Sequence, residues 1–238
     1  MQWNIVPEYV SLVFLGILLV YSWESNPVPT WPNRLFHILQ QTLFLEILLS
    51  IASIIAIMAY REIPVWVNHA IQTGFFLVMP TIPFLFLCYV ISLAQPDEKR
   101  LRSAFWVSGI PYLAYALLIL SNPFSGYVYR IDKQNGYSEG PMFPVVYGLP
   151  FLYTAAMLWT ILRSRERVEL RQRLVLLSFP IITLSVTIIQ WRYPLLVLSG
   201  TAASAALLIL YLFLQNRKIM QDDLTGLQNR KALMKVLA

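Results

Sequence analysis

The stretch of sequence that decides the fold is residues 65–94, VWVNHAIQTGFFLVMPTIPFLFLCYVISLA. It contains no Asp, Glu, Lys or Arg. A helix needs roughly 20 apolar residues to cross about 30 Å of hydrocarbon, so this stretch is long enough to span a bilayer. Pro80 and Pro83 each lack a backbone N–H, and we therefore expect a kink or a locally unwound turn inside this helix.

The rest of the chain repeats this apolar pattern. Of its 238 residues, 58% are hydrophobic and only 13% are charged, whereas soluble domains carry roughly 25% charged residues. The composition predicts an all-α membrane protein, a seven-transmembrane helix bundle whose principal partner is the lipid bilayer. The predicted spans are residues 6–23, 35–60, 65–94, 104–121, 142–162, 174–191 and 194–214.

Two details of these spans depend on their flanking residues. The leader MQWNIVPEYV has no basic residue and no small-residue cleavage pattern follows the first apolar run, so we expect a retained helix rather than a signal peptide. The last two spans are separated only by Arg192 and Tyr193. Because Pro194 is well suited to the first turn of a helix, we expect it to restart the chain in a tight helical hairpin.

The net charge of +6 reflects membrane topology rather than binding of nucleic acid, because the cations lie between apolar runs. An amino terminus placed outside leaves four cations on the outer side: Arg61, Arg130, Lys133 and Arg192. The inner side then holds fourteen: Arg34, Lys99, Arg100, Arg102, Arg163, Arg165, Arg167, Arg171, Arg173, Arg217, Lys218, Arg230, Lys231 and Lys235. This asymmetry predicts a multi-pass protein of the cell membrane with its carboxyl terminus in the cytoplasm.

The long loop between the fourth and fifth predicted spans reads NPFSGYVYRIDKQNGYSEGPMF, residues 122–143. Tyr127, Tyr129 and Ile131 alternate with other residues before Asn135-Gly136, which is typical of a β-hairpin. We expect a small extracytoplasmic β-hairpin that forms a flap over the outer mouth. Its candidate ligand contacts are Tyr129, Tyr137 and Arg130. The aromatic side chains could instead simply anchor the flap at the level of the lipid headgroups, where Tyr and Trp are common.

Polar side chains inside the predicted spans are the other candidate ligand-binding residues, because each is costly in hydrocarbon unless it faces a cavity or a partner. Glu46 lies near the middle of its span, and Gln72 and Gln190 come from other helices. The Glu46 carboxyl could contact a ligand or a proton, or it could hold helices together. With two histidines and only Cys88 as a thiol, neither a metal site nor an intrachain disulfide is expected.

The sequence becomes polar after the last predicted span, and residues 222–231 read DDLTGLQNRK. This string resembles the D-x-L-T-G-L-x-N-R-R signature that opens GGDEF-type diguanylate cyclase domains, with Lys231 in place of the final Arg. In that family the signature joins an input helix to the cyclase. The resemblance therefore implies a coupling role for Asp222, Leu224, Thr225, Gly226, Asn229 and Arg230.

The resemblance divides the chain into a sensor module, residues 1–214, a signalling-helix linker, residues 215–221, and the start of a GGDEF domain, residues 222–238. The sensor part is also similar in layout to input modules found ahead of GGDEF domains in Gram-positive bacteria. A complete bacterial cyclase of this kind would act as a homodimer on GTP with Mg. No Asp or Glu follows Asp223, so this chain is expected to bind no cofactor and to be inactive alone.

The function implied is detection of a small ligand, either outside the cell or dissolved in the membrane, and regulation of cyclic di-GMP synthesis through the last helix. Gly200 and Ser204 have the small-residue spacing that allows close helix approach, either in a dimer or within one bundle. The alternatives are a transporter or channel-like protein and a passive membrane anchor. A retinal receptor is excluded because residues 194–214 contain no lysine.

Overall fold

A computed structural model of the chain describes residues 3–24, 30–94, 97–164, 168–193 and 195–220. Most of these residues are helical. The helices are α1 (Val6–Glu24), α2 (Trp31–Met58), α3 (Val65–Val78), α4 (Thr81–Ala94), α5 (Glu98–Ser125), α6 (Pro144–Arg163), α7 (Leu170–Arg192) and α8 (Ser199–Met220). Two short strands, β1 (Tyr129–Asp132) and β2 (Gly136–Glu139), lie between α5 and α6.

Six helical stretches within the described residues are long and apolar enough to cross a bilayer. They are Trp31–Met58, Val65–Ala94, Leu101–Ser125, Pro144–Arg163, Leu170–Gln190 and Ser199–Asn216. Large apolar side chains also face outward, as with Trp106 at 81% and Phe124 at 95% exposure. Contact of such side chains with lipid carries no cost, whereas their exposure to water would be unfavourable. The prediction of an all-α membrane bundle is confirmed. The apolar part of α1, Val6–Ser22, is shorter, and a seventh crossing stays a prediction.

Helix α2 lies at the centre of the bundle and packs against α1, α3, α4 and α8. Its buried side chains include Leu39, Leu43 and Ile47, which meet buried residues of α4 and α8 such as Phe86 and Leu207 in one continuous apolar core. Helix α8 packs in turn against α1 and α7. The first and last described helices are therefore neighbours, which places the start of α8 beside the start of α1.

The start of α8 differs from its prediction. Pro194 lies outside the described residues, and the helix begins only at Ser199. The preceding residues are held by the amino-terminal segment, because the Asn4 N–H donates to the Leu195 carbonyl over 2.9 Å and the Val197 N–H donates to the Asn4 carbonyl over 3.3 Å. These bonds hold the segment between α7 and α8 against the amino-terminal segment, so the predicted tight helical hairpin is replaced by a longer connection.

The interruption expected near the two prolines lies between α3 and α4, at Met79 and Pro80. Since Pro80 has no N–H, the Phe76 carbonyl loses its normal helical donor. The Tyr115 hydroxyl of α5 donates to that carbonyl over 2.9 Å. The next carbonyl, that of Leu77, accepts the Tyr112 hydroxyl over 3.0 Å. Two tyrosines of α5 thus satisfy the backbone that the proline leaves open.

Strands β1 and β2 pair antiparallel, with Tyr129 opposite Glu139 and Asp132 opposite Gly136. Gly136 has a φ of +73°, a left-handed conformation that glycine adopts without strain. The Asp132 carboxylate accepts hydrogen bonds from the backbone N–H groups of Gln134 and Asn135. These hydrogen bonds hold the pKa of Asp132 below its usual range. The connection is a three-residue loop closed by glycine, and its role as a flap stays a prediction.

We expect Tyr115→Phe to destabilise the bundle by about 1 kcal/mol, because it leaves the Phe76 carbonyl without a donor in an apolar interior. Unfolding of the purified chain by SDS, followed by circular dichroism, measures the change. Tyr21→Phe is the matched control, since it removes the same hydroxyl from an exposed position on α1. Equal stability of the two variants would contradict a structural role for the Tyr115 hydroxyl.

Candidate functional site

The β-hairpin is fixed to the bundle by Asn122, a fully buried residue near the end of α5. Its Nδ2 donates to the Tyr129 carbonyl over 2.9 Å. Its Oδ1 accepts the N–H of Val128 over 2.7 Å and that of Tyr129 over 3.2 Å. One side chain therefore satisfies three backbone groups at the base of β1. Sequence analysis did not single out Asn122, because Asn followed by Pro123 is an ordinary loop signal.

The Tyr129 ring points into the bundle and is fully buried. Its hydroxyl lies 2.7 Å from the Thr73 hydroxyl and donates to the His69 carbonyl over 3.2 Å, both on α3. The ring also packs against Phe76, with 5.3 Å between ring centroids. Burial raises the pKa of Tyr129, so the hydroxyl keeps its proton and can donate. Tyr129 thus serves to connect the hairpin to α3.

The other two hairpin candidates lie nearer the surface. The Tyr137 ring is half-buried and stacks on Tyr129, with centroids 6.1 Å apart, and burial raises its pKa. Arg130 is exposed, and its Nε donates back to the Gly126 carbonyl over 3.2 Å. Because Tyr137 is partly exposed and stacks on Tyr129, it is the hairpin residue through which a ligand at the surface could affect the buried Tyr129.

Gln72 joins two helices and has its polar groups occupied. Its Oε1 accepts the Ser53 hydroxyl over 2.8 Å, and its Nε2 donates to the Ser53 carbonyl over 3.0 Å. One turn earlier, Asn68 Nδ2 donates to the Ala56 carbonyl over 2.8 Å. These contacts fasten α3 to α2. Gln190 is half-buried near the end of α7, and within the described residues no hydrogen bond joins it to Gln72, Glu46 or the hairpin candidates.

Glu46 is buried in the middle of α2, and a second buried carboxyl, that of Glu8 on the neighbouring helix α1, lies close to Ile47 of α2. We call Glu8 and Glu46 the acid pair. Glu8 is fully buried. Its Oε1 accepts the Gly200 N–H over 3.0 Å and the Ser199 hydroxyl over 3.4 Å. A carboxylate from α1 therefore occupies the amino terminus of α8, where unpaired N–H groups favour negative charge.

Sequence analysis missed Glu8. An acidic residue in the first turn of a helix is common, because it stabilises that helix through its own dipole, and Glu8 stands third in α1. Nothing local marks it as the partner of Gly200, which lies 192 residues further along the chain. The one available signal was an acidic residue followed at once by a long apolar run.

The other predicted residues fall into two groups. Gly200 and Ser204 are buried against other helices of the same chain, and a Cβ at Gly200 would collide with the Glu8 carboxyl. The described chain uses this face for packing within one bundle, so a dimer through it stays a prediction. Asp222, Leu224, Thr225, Gly226, Asn229 and Arg230 lie outside the described residues.

Across the described ranges, no group of three or more His, Cys, Asp or Glu side chains is placed to hold a metal ion. Comparison of the chain with protein-family models, with curated proteins and with solved structures finds no match. Function has to be inferred from the chemistry of the chain itself.

We expect Asn122→Ala to release the base of the hairpin, because three backbone groups lose their partner in a buried position. Hydrogen–deuterium exchange of the peptide covering residues 128–140 should accelerate by at least about tenfold, the equivalent of roughly 1.4 kcal/mol. Ser121→Ala, at the exposed neighbouring position, is the matched control and should leave exchange unchanged. Protection equal to that of the unmodified chain would show that Asn122 does not hold the hairpin.

Proposed function

We propose that the chain is the membrane sensory module of a diguanylate cyclase and that it regulates synthesis of cyclic di-GMP through α8. The observation that carries the proposal is the position of the DDLTGLQNRK string. Helix α8 is continuous from Ser199 to Met220, and Asp222 follows it almost directly. A helix of this length spans about 33 Å. Movement at one end of such a rod reaches the other end without an intervening loop.

The bundle offers α8 two routes by which a signal can arrive. Glu8 contacts its first turn from α1, and α7 packs along its length. We propose that an unknown small ligand, outside the cell or dissolved in the membrane, acts at the end of the bundle that carries the hairpin. Tyr137 and Arg130 are the surface candidates there, and Glu46 is the buried one. In the intact protein, a homodimer would bring two cyclase domains together, each with GTP and Mg.

A transporter or channel-like function is the principal alternative, since helices broken by proline often line a substrate site. In such sites the unwound carbonyls face a cavity. Here the freed carbonyls of Phe76 and Leu77 accept tyrosine hydroxyls. That use of the broken backbone favours a structural role for the break and a sensory role for the chain.

The proposed topology has seven membrane crossings, of which α1 is the first. Seven crossings place the two termini on opposite sides of the membrane, whereas six place them on the same side. We expect an epitope ahead of Met1 to be accessible outside intact cells and a fluorescent reporter behind Ala238 to fold in the cytoplasm, as the distribution of Lys and Arg favours. Both termini on one side would contradict the crossing by α1.

The function is tested by joining residues 1–221 to an intact GGDEF domain and measuring cyclic di-GMP. One alanine inserted after Met220 rotates the cyclase domain relative to the bundle by about 100°. This insertion should change the cyclase rate by roughly fivefold or more, the factor that a typical coupling free energy produces. Seven inserted alanines add about two full turns and should restore the original rate. The seven-residue variant is the matched control for the added residues.

Candidate ligands and the Glu46→Gln variant are then applied to the same fusion. A sensory module should respond to at least one of them. A rate that is indifferent to insertion, ligand and Glu46→Gln alike would reduce the membrane part to a passive anchor.

A further inference from the structure

The acid pair places two carboxyls inside the bundle. Glu8 and Glu46 are both buried, on the neighbouring helices α1 and α2. Among the described residues no ion pair to either carboxyl is found, and the ion pair Arg102–Glu98 lies on the surface of α5. Ionising two neighbouring buried carboxyls is costly, because each loses its hydration and repels the other. Pairs of this kind commonly hold one proton between them.

The surroundings of the two carboxyls differ. The Gly200 N–H and the Ser199 hydroxyl both donate to Glu8 Oε1, and the positive end of the α8 dipole is directed at the same group. Donors of this kind stabilise the ionised form. The described residues supply no such donors to Glu46, which lies in the middle of α2. The proton therefore belongs on Glu46.

A second observation concerns Glu8 Oε2, which is fully buried and has no hydrogen-bond partner within the described residues. It occupies the space that a side chain at position 200 would fill, and a Cβ placed there would lie 2.7 Å from Ile47 Cγ1. The unpaired oxygen therefore faces the turn of α2 that carries Glu46. An unsatisfied carboxylate oxygen in an apolar interior is costly, and a second negative charge on Glu46 would add to that cost.

We propose that Glu8 and Glu46 form a proton-binding site that holds one proton at neutral pH and fastens the amino terminus of α8 to α1. Loss of that proton leaves two buried anions, whose repulsion pushes Glu8 away from Gly200. Gain of a second proton neutralises Glu8 and weakens its bond to the α8 terminus. The contact is strongest in the singly protonated state.

The helices packed against the acid pair carry other titratable groups, whose positions are as follows. Tyr9, Tyr21 and Arg34 are exposed, His37 is half-buried near the start of α2, and His69 lies under Tyr129. The rest are Cys88 and Tyr89 of α4, Tyr211 stacked on Phe36, Arg192 beside Tyr193, and Arg217 and Lys218, whose side chains lie outside the described residues. Within the described part, none of these makes an ion pair with the acid pair.

Infrared spectroscopy of the whole chain in lipid nanodiscs tests the proton directly. At neutral pH we expect a protonated carboxyl C=O band that shifts when the glutamate side chains are labelled with ¹³C. Glu46→Gln should remove this band. Glu62→Gln is the matched control, because it makes the same change at an exposed position, and it should leave the band intact. Absence of the band from the labelled wild-type chain would overturn the proposal without reliance on any variant.

The pairing is tested by titration of the same band with alkali. In Glu8→Gln the band should persist at neutral pH but disappear at a lower pH than in the wild type, because the negative charge that holds the proton on Glu46 is gone. An unchanged titration would show that Glu46 binds its proton independently of Glu8, and it would overturn the pair.

The consequence for signalling rests on the proposed function. In the cyclase fusion, cyclic di-GMP output should change as the pair titrates, and Glu46→Gln should abolish that part of the response. The Glu62→Gln fusion reports the pH dependence of the cyclase itself. An infrared band without a pH response of the fusion would contradict coupling to α8 while the proton site stands. A response without the band would contradict the proton site alone.

Discussion

Hydrocarbon offers no hydrogen-bond partners, so a polar group of this chain that lies at membrane depth is costly unless it finds a partner within the protein. The break at Pro80 shows the constraint most clearly. The proline removes the donor to the Phe76 carbonyl, and the Tyr115 hydroxyl on a different helix replaces it. The Tyr112 hydroxyl donates to the next carbonyl, that of Leu77. Gln72 and Asn122 follow the same rule at other depths, since each satisfies backbone groups of a neighbouring element.

Because polar side chains are used in this way, a buried polar residue in this bundle can have a purely structural role. A polar residue in an apolar span is a candidate for function by default, yet Gln72 and Tyr129 have their hydrogen-bonding groups engaged in packing. The acid pair is different, because Glu8 keeps one buried oxygen without a partner. It also touches the first turn of α8, the helix that runs on toward residue 222. Other buried side-chain atoms without a partner among the described residues belong to Gln40, Asn68, His69, Arg173 and Ser204. Of these groups, Glu8 is the one whose other oxygen accepts the Gly200 N–H at the start of α8, which makes it the stronger candidate for regulation.

Much of the architecture was predictable because membrane spans are determined by length and composition. The apolar stretches at residues 35–60, 65–94 and 142–162 became α2, the α3–α4 pair and α6, and the proline at position 80 marked the interruption. Exact boundaries were less predictable. Helix α5 extends beyond residues 104–121 at both ends because Asp97 caps its start and Gly126 ends it. The start of α8 depends on hydrogen bonds to Asn4, which no local pattern indicates.

The sequence by itself determined that the chain belongs in a bilayer, that it is helical, and that the polar string DDLTGLQNRK follows the last apolar stretch. These properties depend on the order and hydropathy of neighbouring residues, which can be obtained directly from the sequence. Tertiary structure alone decided which faces of the helices meet. It brought Glu8 to Gly200 across 192 residues, because helices that are apolar on nearly every side carry no periodic signal that distinguishes a lipid-facing residue from one that faces a neighbouring helix.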